Sequence, residues 1–117
     1  MDNLTAAEQH NKFSAGLLAY TTALQTLINA NWKRDGLTYA PPPQVSVIMG
    51  KKFAKIVKGG DKHSTTVHTF VEIASGDIYA AAGWDKKAKH VRGSIYNENP
   101  TQGVHEHGAI SLRNGGY

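Results

Sequence analysis

The basic and aromatic side chains between residues 51 and 92 are the part of this sequence whose types and spacing suit binding chemistry. Nine of the chain's 13 Lys and Arg lie in that window, with four of its nine Asp and Glu. The window carries a formal charge of +5, and the rest of the 117 residues carries −1. This concentration of positive charge favours polyanionic partners, although lysines also serve simply to keep a surface soluble.

Aromatic residues accompany these cations in segments predicted as strands. Phe70 lies in the β-branched run 65–74, Tyr79 precedes three alanines that leave its ring accessible, and Trp84 precedes the densest run of cations. A ring bordered by lysines can stack on a base while the ammonium groups neutralise phosphates. The sequence therefore predicts a nucleic-acid-binding face made by Lys51, Lys52, Lys55, Phe70, Tyr79, Trp84, Lys86, Lys87, Lys89, His90 and Arg92.

The same residues have purely structural interpretations. Phe70 and Tyr79 could form a minor core under a loop, and Trp84 could anchor a turn in the core. Strict alternation along the 65–74 strand places His68 beside Phe70, facing solvent or a partner. We expect residues 85–90 to form one helical turn that aims its cations, with Arg92, at a phosphate backbone.

The sequence gives little support for a metal site or for an enzymatic activity. His105 and His107 have the spacing to share a metal with a third histidine (His63, His68 or His90), but their Gly-rich setting favours surface histidines in a mobile tail. There is no cysteine, no GxGxxG, no GxSxG and no complete phosphate loop, and the carboxylates of the basic window are scattered singly. We predict a protein that is not an enzyme and has no metal and no cofactor.

One long amphipathic helix is predicted at the N-terminus. Thr5 and Glu8 form a capping box, and apolar residues follow at 4-3-4-3 spacing up to Leu27, widened by Leu18 and Ile28. Gly36 is the expected terminator. The stripe could pair two copies of the chain as a coiled coil, but a 117-residue domain needs it to cover the sheet.

The remainder of the chain predicts a small antiparallel sheet. After Pro41–Pro43, alternating and β-branched runs indicate four or five strands up to residue 96, with Gly76 in a hairpin turn. The fold class is α+β: a long N-terminal helix packed on this sheet, in one domain over residues 1–96. Residues 97–117, rich in Gly, Asn and His, are expected to form a flexible tail with a short pairing at 109–112.

The stretch Ser75–Tyr96, SGDIYAAAGWDKKAKHVRGSIY, resembles a segment of small, uncharacterised phage-encoded proteins. The resemblance covers about a fifth of the chain. It implies a viral accessory protein expressed in a bacterial cytoplasm and, by analogy, a role in genome handling. The matching positions are Gly76, Asp77, Tyr79, Trp84, Ala88, Lys89, His90, Arg92 and Gly93.

Together these features predict a small basic protein that binds nucleic acid with weak sequence specificity. Single-stranded DNA is the favoured partner, and RNA is the alternative polymer. The competing hypothesis is a protein–protein module, either a viral structural subunit or an inhibitor of a host protein, that uses the same basic face. Without a signal peptide or an apolar run of membrane-spanning length, we expect a cytoplasmic location and no membrane partner. Homodimers or larger homo-oligomers remain open through the helix or a sheet edge.

Overall fold

The fold is one long helix and a short C-terminal hairpin, both packed on the same face of a five-stranded sheet. A computed structural model describes residues 5–36, 41–59 and 65–109. The sheet is antiparallel throughout, with its strands in chain order. This confirms the predicted α+β class. The elements are α1 (Ala6–Arg34), β1 (Gln44–Met49), β2 (Phe53–Gly59), β3 (Thr66–Glu72), β4 (Asp77–Gly83), β5 (Lys86–Ser94), β6 (Val104–His105) and β7 (Gly108–Ala109).

Helix α1 begins at the predicted capping box. The backbone N–H of Glu8 donates to Thr5 Oγ1 and the backbone N–H of Thr5 donates to Glu8 Oε1, both at 3.1 Å. Leu18, expected to widen the apolar stripe, is 67% exposed because it lies one residue, about 100°, away from the buried row. The sheet covers that row, so α1 uses its stripe within the monomer and not in a coiled coil. The buried residues of the helix are Phe13, Leu17, Tyr20, Leu24 and Ile28.

The inner face of the sheet, which packs against α1, carries the main core. Its buried residues include Ala54 and Ile56 of β2, Val71 of β3 and Ile78 of β4. Edge strand β1 adds Val45 and Val47, which are partly buried against the same cluster. We call the opposite side of the sheet the outer face.

Two irregularities change the predicted faces of the strands. Ile56 pairs with Thr69 and Val57 pairs with Val67, so His68 is an extra, bulged residue. A bulge breaks strict alternation, which explains why His68 is buried at 2% exposure instead of facing solvent. The helical turn expected at 85–90 is also wrong, because residues 86–94 pair with β4 as strand β5.

Strand β5 is itself strongly bulged. Between the pairs Tyr79–Val91 and Ala81–Lys87, β4 has one residue and β5 has three, residues 88–90. Arg92 is a further extra residue, between Val91 and Gly93. The wide bulge makes Lys89 and His90 protrude at the edge of the sheet, where both are exposed.

The predicted tail does not begin at residue 97. Val104 is 4% exposed and belongs to the main core, and the β6–β7 hairpin lies next to β3 and β4. Glu106 connects this hairpin to two other elements, since its carbonyl accepts from Lys58 Nζ at 2.7 Å and its carboxylate lies 3.9 Å from Arg34. Residues 97–109 are therefore part of the domain. Residues 110–112 of the predicted pairing lie outside the described residues.

Candidate nucleic-acid-binding face

One row of register partners crosses the outer face through all five strands. Phe70 stands at its centre and is only 5% exposed, which corrects the expectation that its ring is available for stacking. A buried ring cannot stack on a base, so Phe70 has a structural place in this row. The row consists of Ile48, Lys55, Phe70, Tyr79 and Val91.

Lys55 joins this row to the β4–β5 turn. Its Nζ lies 4.4 Å from the centre of the Trp84 ring and 2.6 Å from Asp85 Oδ1. The Lys55 side chain is 13% exposed, whereas Trp84 is 48% exposed. Trp84 is therefore a surface residue held by a cation–π contact, and not the core anchor of the alternative interpretation.

A second lysine organises the neighbouring rings. Lys87 Nζ lies 4.2 Å from the centre of the Tyr79 ring and 5.7 Å from that of Phe53. The two rings meet edge to face, with centroids 6.0 Å apart. We call Phe53, Lys55, Tyr79, Trp84 and Lys87 the aromatic–lysine cluster. Phe53 was not among the predicted site residues, although alternation along β2 puts it on the same face as Lys55.

The exposed lysines fall at opposite ends of the sheet. Lys51 and Lys52 lie in the β1–β2 turn and line a shallow depression with Glu72. Lys86 lies beside the β4–β5 turn at the other end, opposite Gly83. The predicted cations therefore do not form a single patch.

Acidic groups affect the distribution of charge along the outer face. Burial, followed by the nearby carboxylates of Glu72 and Asp77, raises the pKa of the Tyr79 hydroxyl. These carboxylates lie towards the end that carries Lys51 and Lys52. Glu72 and Asp77 therefore offset the charges of Lys51 and Lys52 at that end, whereas at the other end Asp85 pairs with Lys55 and Lys86 is exposed.

Arg92 does not belong to an exposed site. Arg92 is 9% exposed. Its backbone carbonyl lies so close to Gly103 that an added Cβ on Gly103 would collide with it. The predicted contact between Arg92 and a phosphate is therefore wrong. Its place in a β5 bulge beneath the C-terminal segment explains this burial.

His68, one of the candidate metal ligands, takes part in a buried hydrogen-bond relay. Its Nε2 donates to the His105 carbonyl at 2.7 Å, and its Nδ1 lies 3.0 Å from Thr69 Oγ1. Thr69 Oγ1 in turn lies 2.6 Å from the Tyr20 hydroxyl. Both imidazole nitrogens are engaged within the protein. Within the described ranges no three His, Cys, Asp or Glu side chains group as metal ligands, and His63 lies outside them.

Comparison with known proteins identifies the family. The chain belongs to the family of unknown function DUF7717, whose model matches residues 1–111. No significant match is found among curated proteins or among solved structures. In the described part of the chain, no helix combines the length and the apolar character that crossing a bilayer requires.

Proposed function

We propose that this protein binds single-stranded nucleic acid on its outer face, with weak sequence specificity and with DNA favoured over RNA. The observation that supports it best is the half-exposed Trp84 ring, held by Lys55 at one end of the outer face. Trp84 and Tyr79 would stack on bases. Lys86 and Lys89 would contact phosphates. The phage resemblance suggests a genome-handling role for this activity.

The energies of stacking and of phosphate contacts favour the end of the outer face near the β4–β5 turn as the principal site. Stacking on an aromatic ring contributes about 1–3 kcal/mol per base, and it is tolerant of sequence. Lysine contacts to phosphates add affinity that falls with salt, because counterions are released. The carboxylates of Glu72 and Asp77 offset the charges of Lys51 and Lys52 at the other end. Lys51 and Lys52 therefore serve as secondary contacts for longer strands.

The fluorescence of Trp84 can be used to measure binding directly. In a Trp32→Phe background, titration with an oligothymidylate at low salt is expected to quench Trp84 emission. The logarithm of the affinity should fall linearly with the logarithm of salt concentration, with a slope of about −0.7 for each phosphate neutralised. Lack of binding at low salt would overturn the proposal.

Charge-reversal variants locate the phosphate contacts. Lys86→Glu and Lys89→Glu are expected to weaken binding and to flatten the salt slope. Lys33→Glu, at an exposed position in the last turn of α1, is the matched control and should leave the slope unchanged. Equal effects of all three substitutions would mean that only the net charge matters, and would place no site at the β4–β5 turn.

A protein–protein module is the second candidate, and the exposed side chains of edge strand β1 favour it. Ile48 and Met49 are 47% and 56% exposed on a strand whose outer edge no described strand pairs with. Such an edge can add a strand from a partner or from a second copy of the chain. Analytical ultracentrifugation of wild type and Ile48→Lys tests self-association. A monomeric wild-type protein would exclude the homo-oligomer.

A further inference from the structure

Strands β3 and β4 separate at one end of the sheet. Their pairing is confined to Thr69–Val71 against residues 78–80, although β3 begins at Thr66 and β4 continues to Gly83. Beyond the last β3–β4 pair, residues 66–67 remain paired with β2, and residues 81–83 remain paired with β5. The His68 bulge starts this divergence, because it displaces β3 by one residue.

The divergence leaves a shallow cleft of about 370 Å³ between the two strands, largely open to solvent. This volume is within the range of small-molecule sites, about 300–1,000 Å³. The side chains along it are short, and Trp84 stands at one end. Its lining includes Thr66, Val67, Ala81, Ala82, Gly83 and Trp84.

The chemistry of the cleft suits a flat, polar heterocycle. No ladder pair joins residues 66–67 to residues 81–83, so two strand edges face each other across the cleft with peptide groups between short side chains. Such edges offer both donors and acceptors. The indole of Trp84 adds a stacking surface. A nucleobase offers donors and acceptors to such edges and a flat ring to the indole.

We propose that the cleft between β3 and β4 holds one unstacked nucleobase of the bound strand. This inference rests on the proposed function and adds a base-binding pocket to it. Exposed Lys86 lies opposite Gly83 at the end of the cleft, and Lys55 lies on the Trp84 ring. The phosphate of a nucleotide whose base enters the cleft is therefore placed near Lys86, whereas Lys55 is already paired with Asp85.

Filling the cleft tests this pocket. Ala82→Leu occupies it, and Ala30→Leu, at an exposed position of α1, is the matched control. Binding is measured by the anisotropy of two labelled strands of equal length, an oligothymidylate and a strand of abasic residues. Ala82→Leu is expected to weaken binding of the oligothymidylate about tenfold and to leave the abasic strand unaffected. Ala30→Leu should change neither.

The outcomes separate the two proposals. If wild type binds oligothymidylate and Ala82→Leu binds it equally well, or loses affinity for both strands alike, the pocket is refuted and the binding face stands. If wild type binds neither strand at low salt, both proposals fail. Should Ala82→Leu not fold by circular dichroism, Gly83→Val replaces it, since an added Cβ there has its nearest neighbour 3.9 Å away.

Discussion

His68 Nε2 donates to the His105 carbonyl at 2.7 Å, so a buried imidazole on β3 holds the C-terminal hairpin against the sheet. Because Nε2 carries the proton, Nδ1 accepts from the Thr69 hydroxyl, and Thr69 Oγ1 accepts from Tyr20. Burial favours the neutral form of His68, and this sets the direction of the relay. It links α1, β3 and the hairpin through side chains that are almost completely buried.

The stability of the fold should therefore decrease in mild acid. Burial, with smaller contributions from Lys58, His105 and His107, lowers the pKa of His68 to about 4, against the opposing effect of the His105 hydrogen bond. The unfolded chain binds this proton near its ordinary pKa of about 6.5. Stability is thus fully present above about pH 6.5 and is lost as the pH falls towards 4, by up to about 3 kcal/mol.

Urea unfolding at several pH values between 7 and 4 measures this loss. His68→Gln, which cannot titrate, should remove most of the His68 contribution to the slope. His90→Gln is the matched control, because His90 is exposed in the β5 bulge. A slope that is unchanged in His68→Gln would contradict the assignment.

The Tyr20 and Thr69 hydroxyls are expected to contribute unequally to the free energy of unfolding. Tyr20→Phe removes one donor and leaves Thr69 bonded to His68, for a cost of about 1 kcal/mol. Thr69→Val leaves both the Tyr20 hydroxyl and His68 Nδ1 without that partner, so it should cost about 2–4 kcal/mol. Chemical denaturation of the single variants and of the double variant measures the coupling. Equal costs for the two single substitutions would contradict this ranking.

Gly76 is required for two reasons, which a pair of variants separates. It has φ 76° in the β3–β4 turn, and an added Cβ would collide with the Tyr96 ring. Gly36 has a similar φ of 71° but no neighbour within 4 Å of an added Cβ. Gly36→Ala should therefore show only the left-handed penalty of about 1–2 kcal/mol. Gly76→Ala should cost clearly more in thermal or urea unfolding, and equal costs would argue against the Tyr96 contact.

The capping box of α1 should have a measurable effect on stability. Thr5→Ala removes the oxygen that accepts from Glu8 and should cost about 1 kcal/mol in urea unfolding. Thr22→Ala, at an exposed position in the helix interior, is the matched control. It should be neutral or slightly stabilising, since alanine has the higher helix propensity. A destabilisation of similar size in both variants would assign the effect to threonine in general.

The helix and the strand sequence were predictable because their signals are local. The Thr5–Glu8 box and the spacing of apolar residues define α1, and the turn at Gly76 has the predicted positive φ. The aromatic–lysine cluster was predictable in part. Lys55 and Trp84 are in contact on the outer face, and Tyr79 lies in the same register row as Lys55.

The remaining features depend on tertiary pairing. Residues 85–90 are rich in Lys and Ala, which favour a helix, but pairing with β4 makes this segment a strand. No local signal marks the one-residue bulge that buries His68. The composition of residues 97–109 resembles that of a loose tail, yet a single buried valine, Val104, ties the segment to the core. Phe70 lies in the same row as Lys55, as alternation predicts, but it is buried.

The packing of α1 has a consequence for synthesis of the chain. Among the described elements α1 is made before the sheet, but the core that receives Phe13 and Leu17 also contains Ile95 and Val104, and an added Cβ on Gly16 would collide with the Tyr96 ring. A ribosome adds about 5–20 residues per second, so the nascent helix waits several seconds for these partners. Its apolar stripe is open to chaperones until residue 104 has emerged, and only then does the core close.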